Sequence, residues 1–414
     1  MISSEDTVLI LGAGQAGGQC AASLRRFGFE GRIILAGSEP HPPYQRPPLS
    51  KAYLSGEIEA DRLWLQPPET WEEQKVDLRT GLEAISIDRA QKTVRFADGS
   101  SENYSCLIIA TGSRVRKLPV EGADLESVRY LRNIADVDAL KSDFSPGKRI
   151  AVIGGGYIGL EAAAVAKKLG AKPVVIEALD RLLARVAQPE LSDYYKHAHQ
   201  SRGVDIRLSA KVESLLGKEG HVCGVRLASG DVIECDSVLV GIGVIPNQEL
   251  ATEAGLKTGN GIVVNEDCQT SDPAIFAIGD CAEGINPVYH RRIRLESVPN
   301  ALEQAKTAAA TICEQPAPEP ETPWFWSDQF DLKLQSAGLV TGTEFSVIRG
   351  DMDSGNFAIF HFAGDFLLAA DAINDPPSFM AAKMMIAKGA TPDPREIENT
   401  DIPIKDIMKA CLAK

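Results

Sequence analysis

Apolar and polar residues along the chain fall into two copies of one pattern. Val8–Leu11 and Ile150–Ile153 are short, unbroken apolar runs of the kind a buried strand needs. Each leads straight into glycines: Gly12-Ala13-Gly14-Gln15-Ala16-Gly17 after the first, Gly154-Gly155-Gly156-Tyr157-Ile158-Gly159 after the second. Beyond the glycines the period becomes helical. Ala16, Cys20, Leu24 and Phe27 share one face, and Ile158, Ala162, Val165 and Leu169 share its counterpart. Both helices are predicted to stop near a glycine, Gly28 or Gly170, and each precedes another apolar strand, Arg32–Ala36 or Pro173–Ile176. Those strands run out beside Glu39 and Glu177, which lie 22 and 18 residues past the third glycine of their motif.

Strand, glycine turn, helix, strand and acid, in that order, make a dinucleotide-binding unit. The first glycine permits the tight turn, the second lets backbone approach a pyrophosphate, and the third lets helix and strand pack closely. The helix start adds N–H groups and a positive dipole end. The acid is placed to accept from ribose hydroxyls. Binding positions are therefore predicted at Gly12, Gly14, Gln15, Ala16, Gly17 and Glu39, and at Gly154, Gly156, Tyr157, Ile158, Gly159 and Glu177. Two dinucleotides are implied. Three more apolar runs end in small-residue turns: Leu107–Ile109 before Ala110-Thr111-Gly112, Val238–Val240 before Gly241-Ile242-Gly243, and Ile275–Ile278 before Gly279-Asp280. If the second dinucleotide is a nicotinamide one, Glu177 would repel the extra phosphate of NADPH and favour NADH, while Lys172, Arg181 and Arg185, close in sequence, would work against that repulsion.

Charge narrows the picture. Acidic residues number 57 and basic residues 43, a net charge of −14, which disfavours nucleic acid as a partner. The most apolar stretch, Ala151–Ala166, holds four glycines and Glu161 and is too short to span a bilayer. Glu5 and Asp6 stand where a secretory signal carries positive charge. The expectation is a cytoplasmic chain with no membrane span. Eight scattered cysteines with no CxxC pair argue against a disulfide framework, a zinc site or a thiol relay, and Cys20 reads as a packing residue. None of the six histidines has metal-ligand spacing, so no metal is expected.

Arg46-Pro47-Pro48-Leu49-Ser50-Lys51, Tyr130-Leu131-Arg132, Gly154–Glu161, Gly243–Asn247, Glu296–Ala301 and Trp324–Gln329 resemble segments of the oxygenase-coupled ferredoxin reductases, and the resemblance covers essentially the whole chain. It implies an α/β fold with two Rossmann-like dinucleotide-binding domains of glutathione-reductase type plus a small C-terminal α+β domain. The FAD domain would be discontinuous, 1–115 and 246–322, with the NAD domain at 116–245 and the last domain at 323–414, after the stiff Pro316–Pro320 linker. In that last domain strands are expected at Phe345–Arg349, Phe357–Phe362 and Phe366–Ala370, and a helix at about Pro377–Lys388.

The resemblance also implies FAD on the first unit, NADH on the second, and a [2Fe–2S] ferredoxin acceptor that feeds a haem monooxygenase or an aromatic-ring dioxygenase. Arg46, Pro47, Lys51, the backbone of Ala84, Arg132, Asp280 and Val298 would line FAD, together with the turns Ala110-Thr111-Gly112 and Gly279-Asp280; Arg185 and Gly243 would complete the NAD side. Lys51 would reach the N5 edge of the ring and pair with Glu161, and Trp326 would lie at the ring edge. Relatives often carry an acid at the place of Ser38, so here Glu39 must serve. A ferredoxin is acidic, and Arg291, Arg292, Arg294, Lys306 and Lys405 are candidate contacts. Rubredoxin, monodehydroascorbate or oxygen as acceptor stays open, as does an NADH-sensing flavoprotein of the apoptosis-inducing type. From the residues alone, Glu161 also reads as a helix-face charge and Trp324-Phe325-Trp326 as core.

Overall fold

The computed structural model describes residues 3–413. The chain forms two compact units. The first gathers the chain up to Arg46 with Ala60–Arg114 and Val244–Glu321; the second gathers Pro47–Glu59, Val115–Gly243 and the chain from Thr322 on.

The first unit is built on a five-stranded parallel sheet in the order Ile275–Ala277, Cys106–Ile109, Thr7–Leu11, Arg32–Gly37, Val76–Thr80. Its inner strands are apolar on both faces because helices and antiparallel strands cover both sides, while the edge strand Val76–Thr80 carries Asp77 and Arg79. The helices Gln15–Arg26 and Val298–Ile312 pack together on one face. Register then places the site. Leu11 lies opposite both Ala36 and Ile109, and Ile109 opposite Ala277. The carboxyl ends of four strands therefore stop in one row, which is where ligands sit in such sheets. That row gathers the Gly12–Gly17 loop, Glu39, Ala110-Thr111-Gly112 and Gly279-Asp280.

The second unit repeats the plan. Its parallel sheet runs Asp205–Arg207, Lys172–Ile176, Arg149–Ile153, Ser237–Val240, Val128–Arg129. Ile153 lies opposite Ile176 and Val240, so the Gly154–Gly159 loop, Glu177 and the Gly241–Gly243 turn share an edge. The same unit holds a five-stranded antiparallel sheet in the order Trp324–Gln329, Leu332–Gly338, Phe366–Ile373, Asn356–Ala363, Phe345–Asp351. The helix Pro376–Ala387 packs on it, capped by the Asp375 carboxylate. The three strands and the helix expected here from sequence are present, each strand running on by one to three residues. The first two strands carried no such expectation. Trp324-Phe325-Trp326 reads as an undivided aromatic block, yet it is a strand whose side chains alternate between two faces.

Candidate functional site

The two glycine loops have the same geometry. Gly12 and Gly154 have φ of +114° and +107°, and a Cβ on either would lie 2.2 Å from the Ala110 carbonyl oxygen or 2.4 Å from that of Gly241. Neither position accepts a side chain. A Cβ on Gly17 or Gly159 would meet the carbonyl oxygen of Gly12 or Gly154 at 2.0 and 2.3 Å, so helix and loop touch there. At Gly14 and Gly156 the surroundings are the reverse: a Cβ would meet nothing within 4 Å among the described residues. These two glycines are the N-caps of Gln15–Arg26 and Tyr157–Lys168, and neither helix start has a side-chain cap among the described residues. Bare N–H groups at an open helix start fit a pyrophosphate. Each unit passes this test by itself.

Around the first loop the side chains are mutually fixed. Glu39 accepts from Tyr44 Oη at 2.6 Å and pairs with Arg46. Thr111 Oγ1 donates to the Asn247 carbonyl at 2.7 Å while Asn247 Nδ2 returns a bond to the Thr111 carbonyl at 2.9 Å. The Asp280 carboxylate accepts from Ser113 Oγ at 2.9 Å, and Gly279 N–H donates to Gln304 Oε1 at 2.7 Å. Val298 opens the helix that Ser297 caps, and Ala84 opens the strand Ala84–Asp88. Tyr44, Ser113 and Gln304 escape sequence reasoning, and Asn247 enters it only as the end of the Gly243–Asn247 segment, since only the fold brings them to the motif.

One basic candidate needs correcting. The Arg294 side chain is only 8% exposed; it donates to the Asp280 carbonyl at 3.0 Å and pairs with Glu296 at 2.7 Å. It braces the Gly279-Asp280 turn and is not an exposed contact, because its charge is spent indoors. Arg292 is exposed but tethered to the carbonyls of Val264 and Glu283.

Around the second loop, Glu177 accepts N–H bonds from Gly155 at 2.7 Å and from Leu179 at 2.8 Å. Its carboxylate is thus locked beside the phosphate turn. Of the three cations near it in sequence, Arg181 is committed to the carbonyls of Ala184 and Ala187 and to Ser192 Oγ, and Lys172 starts the strand at the end away from Glu177. Arg185 is exposed, close to Gly243. Ile158 keeps 42% of its surface exposed at the helix start, an apolar patch next to the bare N–H groups.

The third cluster joins residues from three places in the second unit. Pro47–Ser50 forms a short 3₁₀ turn, and Lys51 Nζ reaches Glu161 at 2.7 Å, with the Pro47 carbonyl at 3.4 Å. Tyr53 and Glu57 anchor this loop by a 2.7 Å bond to Asp138 and an ion pair with Lys168. Tyr157 and Glu161 are one helical turn apart and face the C-terminal sheet. Tyr157 rests 4.4 Å from the Phe325 ring, and Ser327 Oγ donates to Glu161 at 2.5 Å. One helical turn and two strand residues advance by about the same 6 Å, so the two elements stay in step. Burial pushes the Tyr157 phenol up, so it stays neutral. Trp326 is half-buried and packs on Trp324 at 5.5 Å, and Arg132 precedes the helix Ile134–Lys141.

Residues 6–305 match the sequence model of the family described as pyridine nucleotide-disulphide oxidoreductase, and residues 324–408 match that of the reductase C-terminal domain. The chain belongs to the pyridine nucleotide-disulphide oxidoreductase family. The reductase is 48% identical to "Probable ferredoxin reductase CtmF" of Castellaniella defragrans, over 94% of this chain and 95% of that protein. It is 44% identical to "Rhodocoxin reductase" of Rhodococcus erythropolis, over 96% and 93% of the two chains. It superposes on the reductase of a covalent putidaredoxin reductase–putidaredoxin complex with a TM-score of 0.98 at 39% identity, over 100% of both chains. It is an FAD- and NAD(P)H-dependent oxidoreductase.

The family name speaks of disulphides, but among the described residues none of the eight cysteines of this reductase is in one. Burial raises the Cys20 thiol well above its usual range and pushes Cys106 and Cys235 up to about 12. Buried, protonated thiols are poor relays. Among the described residues there is no cluster able to hold a metal ion and no helix long and apolar enough to cross a membrane.

His199 marks a measurable property of this unit. It is fully buried, and burial lowers its pKa from 6.5 to about 4. The unfolded chain therefore takes up that proton first as pH falls. Stability is expected to drop between pH 6.5 and about 4, by about 3 kcal/mol from this residue, and to level off below. Urea midpoints across that range check it: His199→Gln removes this share of the slope.

Proposed function

We propose that this chain is an NADH:ferredoxin oxidoreductase that delivers single electrons to a [2Fe–2S] ferredoxin serving a haem monooxygenase or an aromatic-ring dioxygenase. The observation that carries this reading is the pair of matching open glycine loops in a chain that has no disulphide among the described residues and buries five of its eight cysteines. Full-length similarity to putidaredoxin reductase, solved as a covalent complex with putidaredoxin, supports the choice of acceptor. FAD supplies what side chains lack, acceptance of a hydride and release of its electrons one at a time.

The chain's own residues bind and orient. Gly12, Gly14, Gln15, Ala16 and Gly17 take the FAD pyrophosphate, with Glu39 and Arg46 at the ribose end and Asp280 toward the flavin side. Pro47, Ala84, Ala110, Thr111, Gly112, Arg132, Gly279 and Val298 complete that site. Gly154, Gly156, Tyr157, Ile158 and Gly159 take the nicotinamide dinucleotide, and Glu177 favours NADH, with Arg185 and Gly243 adjacent. Lys51, held by Glu161, offers a cation to the flavin, and Trp326 serves its edge. The domain division follows these roles: FAD domain 1–115 and 246–322, NAD domain 116–245, C-terminal domain 323–414. The chain works in the cytoplasm.

Lys405 is exposed on the helix Ile404–Leu412, and Lys306 is half-buried on Val298–Ile312; we assign them to ferredoxin contact. Electron-transfer contacts are small and steered by charge. The test is a reduction assay with a panel of iron–sulfur carriers, using NADH and NADPH in turn. Turnover is expected with a [2Fe–2S] ferredoxin and a higher kcat/KM for NADH. Lys306→Glu with Lys405→Glu is expected to raise the KM for ferredoxin about tenfold and leave ferricyanide reduction intact. Turnover with rubredoxin alone would sink the assignment.

A further inference from the structure

The Lys51–Glu161 pair is the end of a longer chain of bonds. Glu161 accepts from Ser50 Oγ and Ser327 Oγ at 2.5 Å each and from Lys51 Nζ at 2.7 Å. Ser327 Oγ accepts from Gln329 Nε2 at 3.1 Å, and Gln329 Oε1 lies 2.8 Å from His199 Nε2. His199, Ser327 and Gln329 are all fully buried, and Glu161 is 3% exposed. The helix Pro189–Ser201, the strand Trp324–Gln329, the helix Tyr157–Lys168 and the Lys51 loop are therefore tied by one line of polar contacts.

The direction of each bond follows from the groups. Gln329 uses its amide nitrogen on Ser327, so its oxygen accepts, and His199 carries its proton on Nε2. Ser327 has a single proton. Because one of its lone pairs takes the Gln329 N–H, that proton is left for Glu161. All three links point the same way, toward the carboxylate.

Packing does not explain the histidine. Its ring lies 5.0 Å from Phe330 and 6.4 Å from Tyr195, surroundings that an apolar side chain would also fill. The imidazole instead leaves Nδ1 buried with no partner among the described residues, which costs stability. What it contributes in return is the Nε2 donor.

We propose that His199 is a positioning residue for the Lys51–Glu161 pair, acting through Gln329 and Ser327 to fix which way the Glu161 carboxylate faces and so where Lys51 is held. This rests on the reading above that the pair serves the flavin. The C-terminal domain then takes part in flavin chemistry through Ser327 and Gln329.

The experiment uses the full FAD-loaded chain. Stopped-flow reduction by NADH is measured for His199→Leu, Gln329→Met, Ser327→Ala, His199→Gln and Lys51→Met, beside NADH affinity, melting temperature and the flavin midpoint potential. His199→Leu and Gln329→Met are expected to slow reduction about tenfold with unchanged NADH affinity, and to move the potential to a more negative value. His199→Gln, whose amide returns an N–H near the place of Nε2, is expected to restore most of both. Ser327→Ala removes a single hydroxyl and should reproduce the loss if a larger change disturbs folding. If Lys51→Met slows reduction while the His199, Gln329 and Ser327 variants keep the native rate and potential, the inference is overturned. A loss that follows melting temperature and is not rescued by His199→Gln overturns it too. If Lys51→Met itself changes nothing, the role assigned to the pair fails instead.

Discussion

Gly14→Asp is expected to yield a colourless protein, whereas Gly156→Asp is expected to yield a yellow one that NADH no longer bleaches. Both positions are open, with nothing within 4 Å of the added carbon among the described residues, and both have negative φ. The substitution therefore strains neither loop and leaves the strand–helix contacts at the first and third glycines untouched. What it does is place a carboxylate at a bare helix start meant for a diphosphate. Each loop should lose at least about 100-fold in affinity for its own dinucleotide, equivalent to about 2.7 kcal/mol. Flavin content after purification and anaerobic titration with NADH and then dithionite separate the outcomes. The Gly156→Asp protein should still be reduced by dithionite. Normal bleaching by NADH in that variant would mean that the second loop does not bind the nucleotide.

Lys51→Met is expected to slow flavin reduction by about 100-fold and to cost about 3 kcal/mol of stability, for separate reasons. The stability cost arises because the buried Glu161 carboxylate, 4% exposed at its side chain, loses its cation and keeps, among the described residues, Ser50 and Ser327 as partners. Changing Glu161 as well, to Gln, removes the stranded charge and should return most of the lost stability. The rate should not return, because the cation is still missing. Melting curves and single-turnover kinetics on both variants decide the matter: recovery of both properties in the double variant would make the pair a structural feature only.

Much of this was legible before any coordinates. The glycine loops, the paired strands and the acids that end them are local patterns whose spacing reflects local geometry, and their registers follow the apolar runs. Lys51 and Glu161 are 110 residues apart, and only the resemblance to known reductases joined them. Their supports were out of reach. Ser50, Ser327, Gln329 and His199 are ordinary polar residues in sequence, and a serine on a strand carries no mark of the carboxylate it will meet. Arg294 misled for the related reason that three arginines within four residues look like a surface patch, yet Arg292 and Arg294 are drawn to different backbone carbonyls, those of Val264 and Glu283 against that of Asp280. A long-range hydrogen bond leaves no periodicity to read.

The chain passes from one compact unit to the other at residues 46, 59, 114, 243 and 321. Neither unit corresponds to one continuous stretch of synthesis. Residues of the first unit are still being added at Glu321, and the second lacks its antiparallel sheet until the chain has reached Ile373. A nascent chain that stops at the Pro316–Pro320 linker already holds both glycine loops, but Glu161 has no Ser327 and Tyr157 has no Phe325. Ribosome-bound chains should therefore remain open to protease until the segment through Ile373 has emerged, and become resistant in a late step.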